Sequence, residues 1–295
     1  MTDERSARDL ASIEAGGIPL AAQERLDAVK ARGGRFFTSD LSTNEFLLTR
    51  QAGFQPITQV MGSSVYHVGW QQMPWASSWS FPDGGSTELD VITNAWNEAR
   101  GRALGRLAEE AKRAGADAVV GVRLARGGFE WMGDLVEFTS FGTAMRSTRY
   151  AIEDAPVLSN LSGQDFAKLY LNGYWPVGLV AATSVTYIVS SWSTQRAQRG
   201  FAARMQNQEL TDYTQGLYDA RTRAIMRLQR QAHEAGAHGV VGVEIEQHHA
   251  EREVEQNGSR TDLIVTLHVV GTAIVELATD ELPPTYIALS LKENA

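Results

Sequence analysis

The chain contains no cysteine. This absence excludes disulfide bonds, thiol catalysis, iron–sulfur clusters and thiolate metal sites, and it is typical of proteins from reducing compartments. Histidine is also scarce, with six residues in 295. Few side chains can therefore act as general bases near neutral pH. Any metal site would have to use imidazole and carboxylate ligands.

Long apolar runs and concentrated basic stretches are missing as well. The most apolar segment, residues 178–190, is shorter than the roughly 18 residues that a membrane span needs. Five of the seven residues at 3–9 are charged, which is unlike a secretory signal. With a net charge of -8 and scattered Lys and Arg, the chain is not expected to bind nucleic acid. We expect a cytoplasmic protein without a transmembrane segment.

What the chain does contain is an internal duplication. Residues 99–122 and 220–243 are identical at 14 of 24 positions, and the matches that begin at residues 39 and 159 keep a constant spacing of 120. Such a repeat indicates one structural unit used twice. The predicted organisation is a leader with one short helix at 1–35, a first domain at 36–152, a second at 153–280 and a tail at 281–295.

Each unit shows the same order of elements. A strand-like segment at 57–69, or 177–189 in the second copy, precedes a helix predicted at 93–114 or 212–235. Alanine recurs along one face of that helix at intervals of three to four residues. Because alanine is small, we expect the helix to pack closely on a sheet.

Two glycines per unit mark the end of the helix and the strand after it. Gly115 and Gly236 occupy the position of a left-handed C-cap, and Gly121 and Gly242 indicate a bulge or a close backbone approach. Each unit therefore has the order β-α-β-β. We predict an α+β fold in which each unit is a three-stranded antiparallel sheet with one helix across a face. Another copy usually closes the edges that such sheets leave open.

These segments resemble a known family. The helix at 99–114, the run Gly-Ala-Asp-Ala-Val-Val-Gly-Val-Arg at 115–123 and the Gly-Thr-Ala at 142–144 look like the YbjQ-like family, labelled heavy-metal-binding, and residues 220–243 and 271–273 repeat the likeness. The resemblance implies a dodecin-like fold and a homo-oligomeric ring, with a pentamer of two-domain chains as the expected form. It implies no established set of metal ligands.

The first candidate site is a turn predicted in the second copy. It carries His248, His249, Glu251 and Glu253, and imidazole beside carboxylate could hold Zn or Ni. The alternation of acidic and basic residues over 251–253 favours a solvated hairpin tip over a metal site. The first copy has no comparable residues in that turn, so the duplication does not support a shared metal site.

The second candidate site is an aromatic loop in the first copy. Trp70, Trp75, Trp79 and Phe81 lie among prolines and glycines, where the second copy has a basic, proline-free segment at 195–208 that could extend the next helix. Four large aromatics could bind a peptide, a glycan or a partner protein. The competing interpretation, which we favour, is that they cap the first domain's core or fill a contact between subunits.

Arginines recur at three matching positions of the two long helices. They are Arg100, Arg102 and Arg106 in the first copy and Arg221, Arg223 and Arg227 in the second. We expect them to pair with acidic groups across an interface more than to bind an anion. Glu109 and Glu110 are predicted on the exposed helix face.

No catalytic constellation or phosphate-binding loop emerges from the sequence. We therefore predict a non-enzymatic, ring-forming scaffold or binding protein. Sequestration of a heavy metal by histidine and carboxylate ligands is the alternative function. A third possibility is an enzyme whose site exists only between subunits.

Overall fold

The computed structural model describes residues 2–32, 36–71, 84–127, 135–149, 155–199, 207–255 and 259–277. The elements in chain order are α1 (Thr2–Glu14), α2 (Leu20–Ala31), α3 (Thr43–Gln51), β1 (Phe54–His67), β2 (Gly85–Glu88), α4 (Asp90–Ala114), β3 (Ala118–Gly127), β4 (Leu135–Ser147), β5 (Val157–Leu158), α5 (Gly163–Leu171), β6 (Tyr174–Val189), α6 (Trp192–Arg199), α7 (Thr211–Glu234), β7 (Gly239–Glu255) and β8 (Ser259–Glu276).

Two four-stranded sheets form the core of the described chain. Their strand orders are β1-β4-β3-β5 and β2-β6-β8-β7, and β3 with β5 is the parallel pair among otherwise antiparallel ones. Helix α4 packs on the first sheet and α7 on the second. The α+β class is confirmed, but the prediction of three-stranded sheets is wrong. Each sheet takes three strands from its own copy and a short fourth strand from the other copy.

The alanine stripe packs against the sheet as expected. Ala99, Ala103 and Ala111 are fully buried on α4, and Ala220 and Ala224 are fully buried on α7. The approach is closest in the first copy, where a Cβ on the Gly62 backbone would overlap the Ala103 carbonyl oxygen. Small residues on both elements therefore set the distance between helix and sheet.

The two strand glycines form bulges. Gly121 has φ +64° and Gly242 has φ +60°, and the strand register shifts across each of them. Gly115 ends α4 with φ +75°, which is the predicted left-handed cap. In the second copy Ala235 is the cap residue and Gly236, with φ +69°, follows it.

A short helix missed in the sequence precedes the first long strand of each copy. Ser42 accepts a hydrogen bond from the Glu45 N–H, and the Glu45 carboxylate accepts one from the Ser42 N–H, so α3 begins with a capping box. Ser162 caps α5 by accepting from the Asp165 N–H. The serine three residues before an acidic residue was the available signal in both copies.

The leader contains two helices, α1 and α2, where one was predicted. Leu26 is fully buried against the first copy, and Arg25 binds Glu110 at 2.8 Å. Glu110 also accepts a hydrogen bond from the Met61 N–H at 2.9 Å and is buried. The prediction of an exposed position is confirmed for Glu109 but wrong for Glu110, which the leader and β1 cover.

The segment at 195–208 does not simply extend α7. Its first residues belong to a separate helix, α6, residues 207–210 lie outside any helix or strand, and α7 begins at Thr211. The predicted tail at 281–295 lies outside the described residues. Within the described ranges, no helix is long and apolar enough to cross a membrane.

Candidate functional site: the interface between the two copies

The predicted histidine turn is part of strand β7. Pairing with β8 continues to Glu255 and Ser259, so the polar segment is extended and the turn prediction is wrong. Successive side chains of a strand point to opposite faces, which separates His248 from His249 and places Glu251 and Glu253 with His249. His248 lies 3.0 Å from Glu246 instead.

The predicted metal ligands are therefore divided between two faces of β7. Among the residues that the structure describes, no group of three or more His, Cys, Asp or Glu side chains is placed to hold a metal ion. Metal binding stays a prediction of the sequence.

The predicted aromatic site lies mostly beyond the described residues. Trp70, just after β1, is 83% exposed, whereas Trp75, Trp79 and Phe81 fall in the range 72–83 that the structure does not describe. Binding of a partner by this loop stays a prediction.

What the structure brings together is an extensive interface between the copies. Strand β5 and the residues after it, from the second copy, line the open edge of β3 in the first. The Ser159 N–H donates to the Val119 carbonyl at 2.9 Å, the Val122 N–H to the Ser159 carbonyl at 2.9 Å, and the Gly121 N–H to the Leu161 carbonyl at 2.8 Å. The edge of β3 is closed in this way, as open sheet edges generally must be.

The exchange is reciprocal, because β2 of the first copy pairs with β6 of the second. Glu88, the last residue of β2, binds both terminal nitrogens of Arg227 at 2.6 and 2.7 Å. Burial alone would raise the pKa of Glu88, but the hydrogen bonds from Arg227 and Ser184 and the Arg227 charge hold this pKa below its usual value. Arg227 thus pairs with an acidic group across the interface, as predicted for all six repeated arginines. The prediction is wrong for Arg102, which binds Glu98 of its own helix, and for Arg106, which binds backbone carbonyls.

The first half of α4 covers the remaining edge of β6. Asn97 donates to the Thr183 carbonyl at 3.1 Å and accepts from the Thr183 N–H at 3.0 Å. Arg100 donates to Thr183 Oγ1 at 2.6 Å and to the Ala181 carbonyl at 2.8 Å. The Arg100 side chain therefore binds neutral groups across the interface, and burial lowers its pKa to about 10.

A buried histidine continues this hydrogen-bond chain. Thr183 Oγ1 lies 2.8 Å from Nδ1 of His268. A hydroxyl has one proton and two acceptor sites, so Thr183 can bond Nδ1 in either tautomer of the neutral imidazole. The other ring nitrogen is Nε2. That atom is buried and has no hydrogen-bond partner among the described residues. Burial and the nearby positive charges, led by Arg126, lower the pKa of His268 to about 3.

His268 and Arg100 line a cavity of about 370 Å³ between the copies. The cavity wall is mainly apolar, with Phe138, Leu124 and Ile245 among its residues. Charged groups of both signs also line it: Arg123, Arg126, Glu244 and Glu246. The cavity can therefore hold a small molecule or water, but its charges do not select one sign.

An aromatic cluster joins the copies on the side of α5. Phe54 of the first copy contacts Phe166 and Tyr170 edge to face, with ring centroids 5.1 and 5.2 Å apart, and stacks on Trp175 at 6.0 Å. Phe54 and Phe166 are almost fully buried. Such rings supply a large apolar contact, so the two copies share one continuous core.

The chain belongs to the YbjQ family. The family model YbjQ_1, described as "Putative heavy-metal-binding", matches residues 76–148 and 180–276, one segment in each copy. The chain is also 38% identical over 240 residues to the "Encapsulin nanocompartment protein Rv1762c" of Mycobacterium tuberculosis (strain ATCC 25618 / H37Rv), which covers 78% of this chain and 84% of that protein. No solved structure matches the chain.

Proposed function

We propose that this protein is a non-enzymatic scaffold that assembles with copies of itself. The observation that carries the proposal is the interface between the two copies, because it joins two different surfaces of the repeated unit. A contact of this kind leaves one surface of each type uncovered, and repetition then yields rings or filaments. The matching relative supports a role in assembly, since its name places it in an encapsulin nanocompartment.

We further propose that the assembly is a closed ring that acts in the cytoplasm, associated with a protein-shelled compartment. Because each chain contributes two units, a ring of whole chains contains an even number of units. Five chains, with ten units, satisfy this condition and are the form that the family resemblance implies. The aromatic loop with Trp70, Trp75, Trp79 and Phe81 is the proposed surface either for a contact between subunits or for a different partner protein.

Native mass spectrometry of the purified protein over a dilution series tests self-assembly. We expect one dominant mass that is an integer multiple of the 32.3 kDa chain. A monomer at micromolar concentration would contradict the proposal. Elemental analysis of the same sample tests the metal alternative: stoichiometric Zn or Ni, lost in a variant with His248→Ala and His249→Ala, would favour sequestration over a purely structural role.

The aromatic loop is tested by the double variant Trp75→Ala, Trp79→Ala. Intact assemblies that no longer bind a compartment protein support a partner surface, whereas loss of the assembly supports a contact between subunits.

A further inference from the structure

Each copy has two distinct faces. The leading face comprises the segment before the first short helix, that helix and the outer edge of the first long strand. The trailing face comprises the strand that follows the long helix, and the first half of that helix. Within the chain, the leading face of the second copy (β5, α5 and β6) lies on the trailing face of the first (β3 and α4). Helix α5 also packs against α3, so α3 is only partly free.

We propose that the leading face of the first copy binds the trailing face of the second copy in another chain, and that this contact repeats the strand register of the internal interface. The occupant of each face is thus a second copy of this protein. The inference rests on the proposed self-assembly and specifies the surfaces that carry it.

The backbone of the two free faces is arranged for this pairing. Strand β7 ends the order of its sheet, whereas its counterpart β3 is covered by β5. The segment equivalent to β5 is residues 37–38, which forms no strand within the chain. The internal bonds from Ser159 to Val119 and from Gly121 to Leu161 have equivalents between chains. The Ser39 N–H of one chain would donate to the Val240 carbonyl of the next, whose Gly242 N–H would donate to the Leu41 carbonyl of the first.

Apolar side chains on the free faces match buried ones in the internal interface. Val243 on β7 is 43% exposed, but its equivalent Val122 is 3% exposed. Val65 on β1 is 54% exposed, but its equivalent Val185 is 2% exposed. Three further residues of the leading face are exposed, although their equivalents are buried: Phe36, Leu47 and Met61, matching Pro156, Ala167 and Ala181. Docking would remove this apolar surface from water.

Several polar partners are kept on both sides of the free contact, although Tyr218 replaces Asn97. Arg100 is 5% exposed in the internal interface, and its equivalent Arg221 is exposed. The hydroxyl that accepts from Arg100 belongs to Thr183, and Ser63 provides a hydroxyl at the equivalent position. Thr93, which accepts from the Val185 N–H, is matched by Thr214.

This two-sided match favours a second copy over an unrelated strand or peptide. An unrelated segment could pair with the edge of β7, but it would not also supply an acceptor for Arg221 and an apolar surface for Val243. The first copy offers both, since it carries Ser63 and the exposed apolar residues of its leading face.

Disulfide cross-linking tests the register directly, because the chain has no cysteine of its own. Ala118 is the register partner of Val157 in the internal contact, and the equivalent pair between chains is Gly239 and Phe37. Paired strand residues lie within the Cα separation that a disulfide requires. The test variant carries Phe37→Cys and Gly239→Cys. The control carries Ala118→Cys and Val157→Cys, and each single substitution is examined alone.

After oxidation, we expect the test variant to form covalent multimers on a denaturing gel, and a reducing agent should convert them to monomers. The internal control should stay a monomer on the same gel, but both of its free thiols should disappear. Native mass spectrometry of the same samples separates the two proposals. A multimer without cross-links between chains would overturn this interface but leave self-assembly standing. A monomer would overturn both.

Substitution of Arg221 gives a second readout. We expect Arg221→Met to raise the concentration at which the assembly dissociates by at least about tenfold, which corresponds to about 1.4 kcal/mol. The matched control is Thr222→Ala, since its equivalent Gly101 faces open space in the internal interface. Equal dissociation of both variants and the unaltered chain would contradict the role given to Arg221.

Discussion

Arg100 is a buried guanidinium that binds hydroxyl, amide and carbonyl oxygens instead of a carboxylate. The sequence shows only that the second copy has Arg221 at the equivalent position. The structure shows that the two arginines lie in different environments. One is enclosed by the other copy and one is exposed. Identical residues of a tandem repeat thus differ in environment when one lies in the interface within the chain and the other lies on the equivalent exposed surface.

Substitution Arg100→Met should weaken the contact between the copies. The Ala181 carbonyl and the Asn97 side chain would lose a charged donor in a buried place, at a cost of about 1–3 kcal/mol in the free energy of unfolding. Urea denaturation followed by circular dichroism measures this loss. Arg102→Met is the control, because Arg102 binds Glu98 on the same helix at an exposed position, where about 0.5 kcal/mol or less is expected. Similar losses in both variants would contradict the account of Arg100.

His268 should remain neutral in the folded protein down to about pH 3, which is its lowered pKa. In the unfolded chain the His268 ring binds a proton near pH 6.5. Below that pH the unfolded state therefore binds more protons than the folded state, and the free energy of unfolding falls as the pH is lowered toward 3. The slope approaches about 1.4 kcal/mol per pH unit within this window.

Denaturant titrations between pH 3 and pH 7 measure this dependence. The variant His268→Asn keeps a polar atom near Thr183 but removes the titrating ring. The slope of its free energy of unfolding against pH should be smaller by an amount that corresponds to at most one bound proton. Equal slopes for both proteins, or an NMR titration of the His268 ring near pH 6, would contradict the assignment.

Among the elements, α4 can pack closely on β1 because Gly62 has no side chain. Substitution Gly62→Ala should lower the free energy of unfolding by about 1–3 kcal/mol or more, because the new methyl group would force the α4 backbone away from the sheet. Gly178→Ala is the control, since a Cβ there meets open space. Thermal unfolding of both variants checks this, and a tolerated Gly62→Ala would show that the close contact is not rigid.

Elements with a long periodic pattern were predictable from the sequence. The alanine stripe indicated α4 and α7, and the glycines after them indicated the caps and the bulges. The exchanged strands β2 and β5 were not predictable, because segments of four and two residues show no periodicity. Their pairing is decided by the partner copy, which offers an open edge. The strand prediction also failed at His248 and His249, where a polar sequence continues a hairpin that is stabilised by its backbone pairing with β8.

At the scale of the whole molecule, the duplication predicts both the unit and the means of joining units. The candidate residues chosen for their chemistry are the histidines of β7 and the aromatic loop. His248 contacts Arg126 of the first copy, but most contacts between the copies lie elsewhere. Arg100, Thr183, Glu88 and Arg227 carry the internal interface. The repeated arginines and the open sheet edges were the sequence signals that pointed to it.

In the proposed assembly, the contact made once inside the chain is made again between chains. The most direct measurement is a single-particle cryo-electron microscopy reconstruction of the full chain. The account predicts a closed ring with an even number of units, in which residues 37–41 of each chain line the β7 edge of the next in the register of β5 on β3. A monomer, or a two-fold dimer in which like faces meet, would contradict it.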